Sequence, residues 1–133
     1  MKHLISVLVC STLAAGVCAN GHLSVKNEYS NAEYVLTAVV TTASEVPQSK
    51  DGQDFSGTDY KLRGLHVLKG YPPETFTVFS ENSSGRFPMD AKKRYLVFVH
   101  REGGKLRIDN CGNSGLLETS ANALAEALSV ATK

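Results

Sequence analysis

Three short constellations in this chain of 133 residues carry side chains capable of chemistry. The first is Asn20-Gly21-His22. With Asn20 as the first residue of a processed chain, its amine, two deprotonated backbone amides and the His22 imidazole make a square-planar nitrogen set suited to Cu(II) or Ni(II). A third-position histidine also arises by chance, which is the simpler account. The second is Cys111, with His66 or His100 as the base that a thiol nucleophile needs. No third, orienting group is identifiable in the sequence, and a thiol without a nearby base keeps an ordinary pKa. The third is Cys18, whose role depends on how the chain is processed. Paired carboxylates suited to acid–base work are not evident, and Gly103-Gly104 reads as a hairpin turn, not a phosphate loop. The chain reads as a non-enzyme that calls for no cofactor.

Processing enters because the chain opens like an export signal. Lys2 and His3 give a short basic end, Leu4 to Val17 form an apolar run, and small residues follow at Ala14, Ala15, Gly16 and Ala19. That order describes a secretory signal peptide, and the run is too short to be a good membrane span. The protein is expected to be secreted or periplasmic. Val17-Cys18-Ala19 satisfies the small-residue rule for cleavage, giving a signal over 1–19 and a single domain over 20–133. A cut after Gly16 is also allowed and retains Cys18. In that case Cys18 and Cys111 can form one disulfide. It would close a loop of about ninety residues and contribute roughly 4 kcal/mol in the chain-entropy model.

Charge narrows the function classes. With Lys2 in the leader, 13 basic residues balance 13 acidic ones, and the two signs are interspersed. Lys92-Lys93-Arg94 is the one basic triplet, placed directly before an apolar strand. Such triplets are ordinarily solvated turns, so nucleic acid is not an expected partner. No second segment approaches membrane-spanning length.

The elements that must position these residues follow from periodicity. Ser24 to Glu33 reads as a short helix capped by Ser24, with Val25 and Tyr29 facing inward. Tyr34 to Thr42 is β-branched and carries no breaker, a strand. Residues 44–58 and 81–92 read as long loops, each rich in polar residues, glycine and proline. Tyr60 to Lys69 is a strand whose apolar phase slips at Gly64, from Tyr60 and Leu62 onto Leu65 and Val67. That slip predicts a β-bulge keeping both halves on one core. Thr75 to Ser80 is a strand, and Tyr95 to Val99 is one buried on both faces. Leu106 and Ile108 alternate on a returning strand, and Leu117, Ala121, Leu124 and Leu128 mark an amphipathic helix to about Val130. The fold class is mainly β with flanking helices. Five short strands, one of them bent, fit a five-stranded OB-type barrel with a short N-terminal helix and an amphipathic C-terminal helix. A two-layer α+β arrangement fits the same pattern.

Four segments resemble the netrin-like, tissue-inhibitor-of-metalloproteinases (TIMP) type of OB-fold domain. Glu28 to Leu36 is similar to the family's opening, an aromatic and then a small-acidic pair (Ala32-Glu33) before the first strand. Val67-Leu68-Lys69-Gly70 resembles its "vLKG" strand end, and Arg94 to Phe98 its "YLVF" strand. Lys105 to Cys111 resembles the last strand, ending in cysteine. The likeness spans roughly 18–130. It implies the barrel, and it implies a metalloprotease inhibitor in which the amine and carbonyl of an N-terminal cysteine chelate the protease's zinc. Cys18 stands where that cysteine belongs, fourteen residues before Ala32. The family's next cysteine, the usual partner of the one matching Cys111, falls on Asn20, and the usual partner of Cys18 falls near Ser84. Both are missing, so the fold transfers better than the inhibitory frame.

The remaining candidates lie on the loops. Phe55, Arg86 and Phe87 stand among polar residues, and an exposed aromatic beside an arginine is a common protein-contact anchor. The plainer account tucks both phenylalanines under their loops. Asn82-Ser83-Ser84 is a glycosylation sequon, relevant only in a eukaryotic secretory pathway. The function expected is an exported module binding another protein. The alternatives are a metalloprotease inhibitor acting through Cys18 and a copper or nickel binder acting through Asn20, Gly21 and His22.

Overall fold

A computed structural model describes Cys18, residues 21–47 and residues 55–133. The rest of the leader expected over 1–19, together with Asn20 and residues 48–54, lies outside the described residues. The loop expected over 44–58 is shorter than that, because residues 44–47 and 55–58 are paired strand, with Val46 opposite Gly57. Helix α1 (Val25–Asn31) starts where a cap permits: Ser24 is extended, and its hydroxyl accepts the Asn27 N–H at 3.1 Å. Val25 and Glu28, one turn apart, point inward.

Six antiparallel strands follow: β1 (Tyr34–Pro47), β2 (Phe55–Lys69), β3 (Thr75–Glu81), β4 (Arg94–Glu102), β5 (Lys105–Ile108) and β6 (Gly115–Leu116). They form one sheet in the order β3-β2-β1-β4-β5, with β6 also paired to β4. One edge of β4 therefore carries β5 at Val99 to Glu102 and β6 at Tyr95 and Leu96. The sequence pattern indicated five strands, because a two-residue strand is too short to show periodicity. No hydrogen-bonded ladder joins β3 to β5 among the described residues, so the sheet is not closed. The two strands nevertheless meet through side chains. Lys105 Nζ lies 4.0 Å from the centre of the Phe79 ring, and Arg107 is 3.9 Å from Glu81.

Both faces of the sheet are packed. Leu36, Ala38, Val40, Leu62, Val78, Val97 and Val99 fill the inner core, following the two-residue period of their strands. The opposite face buries Val35, Leu96 and Phe98 beneath Val25 and Ala32 at the two ends of α1 and Ala127 of α2 (Ala121–Ala131). Strand β4 is thus buried on both sides, as its unbroken apolar run predicts.

Two sequence expectations change in detail. The bulge is present, since Thr37 pairs with His66 and Ala38 with Gly64, leaving Leu65 unopposed. Yet Leu65 and Val67 are 44% and 45% exposed. Beyond the bulge it is Leu68 that packs inward, on the outer cluster beneath Tyr29, whose hydroxyl donates to the Leu68 carbonyl at 3.0 Å. The C-terminal helix is likewise interrupted: a 3-10 turn (Leu117–Thr119) precedes α2. The buried Ser120 separates them, its hydroxyl donating to the Leu116 carbonyl at 2.7 Å. This break resets the helical phase, so Ala127 is buried while Leu128 is 41% exposed.

The Lys69-Gly70 turn ties the sheet to α1. Lys69 Nζ donates to the Tyr29 and Ser30 carbonyls at 2.7 and 3.1 Å, satisfying groups left open at the helix end. Gly70 has φ +84°, and a side chain there would strike the Glu33 carbonyl.

Candidate functional site

The residues preceding α1 are fastened to the turn after β5, and this bridged N-terminal edge is the candidate site. Cys18 and Cys111 form a disulfide with Cα atoms 5.7 Å apart and a sequence separation of 93. Around the bridge the backbone closes on itself. Gly21 N–H donates to the Cys18 carbonyl at 2.9 Å, and Leu23 N–H donates to the Cys111 carbonyl at 3.1 Å. Gly21 turns the chain with φ +79°.

A second fastening lies one turn deeper. Glu28 projects from the inner face of α1 and is only 6% exposed. Its Oε1 accepts two hydrogen bonds from Asn113, from the backbone N–H at 2.6 Å and from Nδ2 at 3.0 Å. The same Nδ2 donates to the Leu23 carbonyl at 2.9 Å. Asn113 therefore ties the edge segment and the helix to one turn. Gly112 must be small: a Cβ there would collide with the Glu28 carboxylate. Asp109 shapes the turn by accepting the Cys111 N–H at 2.8 Å.

The electrostatics follow from this burial. Loss of solvent pushes the Glu28 carboxyl above its ordinary value, the Asn113 hydrogen bonds pull it back, and the Asp109 charge adds to the rise. The nearby His22 acts in the lowering direction. On the surface the signs reverse. Arg101 grips Glu33 in a fork, Nε to Oε1 at 3.1 Å and Nη2 to Oε2 at 2.8 Å, which holds the Glu33 carboxyl below its ordinary value.

The sequence candidates divide around this edge. Cys18 and Cys111 come together, so neither presents a thiol. Gly21 and His22 are exposed, with His22 Nδ1 3.1 Å from the Leu23 carbonyl. In a chain bridged through Cys18, Asn20 is internal and offers no amine, so the bridge and the Asn20-Gly21-His22 copper site exclude each other. His66 is exposed at the bulge, and His100 is half-buried near Asp109 and Arg107. Among the loop candidates, Phe87 is half-buried, edge-on to Tyr95 at 6.5 Å, with its N–H on the Ser80 hydroxyl at 2.8 Å. That is the tucked position. Arg86 is exposed, its Nη1 3.4 Å from Asn82 Oδ1. Phe55 heads β2 opposite Pro47, and its side chain lies outside the described residues.

Sequence reasoning passed over Glu28, Gly112 and Asn113. The available signal was Glu28 standing three residues after Val25, on the inward side of a capped helix. The chain matches no family model and no curated protein.

Proposed function

We propose that this chain is an exported, non-enzymatic binding module of the TIMP-like OB type, acting by holding a protein partner. The observation that carries the reading is the Cys18–Cys111 bridge. Disulfides form and persist in oxidising compartments, in keeping with the export signal read over the first residues. Retaining Cys18 favours a cut after Gly16 or Val17 over one after Ala19. The barrel reading draws support from neighbour order: β5 follows β4 and lies beside β3, the cyclic order a five-stranded barrel requires, with β6 as an addition. A rigid edge costs little ordering entropy when a partner docks, and two fastenings make this one rigid.

The same anchoring favours a second reading. A chain cut directly before Cys18 would present a fixed α-amine and carbonyl to the zinc of a metalloprotease. One experiment separates the two readings. A photo-crosslinking residue is placed at His22 and, as a control, at Ser129, in cells that export the protein. The exported chain is also assayed against a panel of secreted zinc proteases. The module reading expects one defined adduct from position 22, none from 129, and uninhibited proteases. Inhibition that disappears on acetylating the Cys18 amine supports the inhibitor. The absence of both adduct and inhibition would refute the N-terminal edge as the contact surface in either reading.

A further inference from the structure

The bulge in β2 leaves an apolar feature on the helix-covered face of the sheet. A groove of about 350 Å³ lies between β1–β2 and the 3-10 turn. Its floor is aliphatic, formed by Val39, Leu65, Leu116 and Leu117, and Leu65 is the residue that the bulge extrudes. Its rim is basic: Arg63, Lys92, Lys93 and Arg94 line it, against the single carboxylate of Glu118. Lys93 reaches Asp90 at 3.4 Å, whereas Arg63, Lys92 and Arg94 meet no carboxylate among the described residues. In a chain whose formal net charge is +1, this is a local concentration of one sign.

Lys92 sharpens the point. Its N–H donates to the Val40 carbonyl at 2.6 Å, and the Val40 N–H donates to the Lys93 carbonyl at 3.0 Å. Two residues thus face one across the entry to β4, and Lys92 adopts φ +70°. It is the one described non-glycine residue with positive φ. A charged side chain stands where the backbone favours glycine, and such strain concentrates at functional positions.

We propose that this groove docks an extended acidic segment of a protein partner, with an apolar side chain over Leu65 and carboxylates on Arg63, Lys92 and Arg94. The proposal rests on the reading of the chain as a protein-binding module. Clustered like charges repel one another until an opposite charge arrives, so the rim selects for acid. The floor selects for peptide. Single-stranded nucleic acid binds through aromatic platforms that stack its bases, and this floor is wholly aliphatic.

The test uses the full exported chain and a dye-labelled peptide alternating glutamate with leucine, followed by anisotropy. Saturable binding that weakens with salt is expected, and a peptide with alanine for leucine should bind about tenfold more weakly. Leu65→Ser and Arg94→Gln should each weaken the leucine peptide by about tenfold while retaining the far-ultraviolet spectrum of the parent. Lys92→Gly should weaken binding and raise the melting temperature, a pairing that a purely structural lysine would not give. Absence of binding, equal binding of the alanine peptide, or equal competition by an oligonucleotide of matched charge would each overturn the proposal. If the peptide fails while the crosslinker at His22 still captures its partner, the groove is refuted and the binding-module reading survives. Peptide binding without that crosslink supports the groove and refutes the N-terminal edge.

Discussion

Asn113 gives Glu28 two hydrogen bonds, at 2.6 and 3.0 Å, across 85 residues of sequence. A buried carboxylate on the first helix is thereby joined to the turn that carries Cys111. The contact fastens helix α1, and the Leu23 carbonyl just before it, to the turn that follows β5.

Removing the donor leaves the acceptor. Asn113→Leu keeps the backbone N–H to Glu28 but removes the Nδ2 donor from both Glu28 and the Leu23 carbonyl, and a buried acceptor left short of a partner costs about 1–3 kcal/mol, more when charged. Urea denaturation at neutral pH is expected to show at least that loss. A loss below the lower figure would mean that solvent reaches the carboxylate.

The two glutamates should tilt the pH profile in opposite directions. Burial raises the folded-state pKa of Glu28 above its ordinary 4.5. Its contribution to stability is then full below that value and is lost as pH rises through the folded pKa. Glu33 is lowered below 4.5 by its Arg101 hydrogen bonds, so its contribution is present above 4.5 and lost as pH falls through the folded pKa. Glu28→Gln should flatten the decline toward neutral pH, and Glu33→Gln should flatten the decline toward acid. Urea midpoints measured across this range check both signs.

Gly112 and Glu28 should be energetically coupled. Gly112→Ala forces a methyl group against the carboxylate and is expected to cost about 1–3 kcal/mol. In a Glu28→Ala background the obstacle is gone, and the same change should cost distinctly less. A double-mutant cycle without coupling would contradict the packing described.

Cutting the bridge should cost more than any of these. Cys111→Ser opens a loop with a sequence separation of 93, and the chain-entropy model gives a loss of about 4–5 kcal/mol. Denaturation of the variant and of the reduced parent should agree to within about 0.5 kcal/mol, because both lack the same cross-link.

Much of the fold is legible in the sequence because its cues are local. Ser24 caps a helix, and Tyr95 to Val99 sit on both sheet faces as an unbroken apolar run requires. The Lys69-Gly70 pair ends a strand because lysine closes a helix terminus and glycine takes positive φ. What escaped depends on partners distant in sequence. Among the described residues, Glu28 finds its donors only in Asn113, 85 residues away. Leu65 and Val67 continue an apolar alternation but emerge outward, because the bulge hands the inward position to Leu68. Strand β6 exists only through its pairing with Tyr95 and Leu96. For the candidate site, the Cys18–Cys111 pairing was one of two outcomes that the sequence left open, and processing decides between them.

The most direct measurement is the intact mass of the exported protein, with and without reductant. A bridged N-terminal edge predicts a chain starting at Val17 or Cys18 that gains two hydrogens on reduction. A chain starting at Asn20, with Cys111 as a free thiol, would contradict it. The edge would lose its anchor, and the Asn20-Gly21-His22 amine would become available to copper.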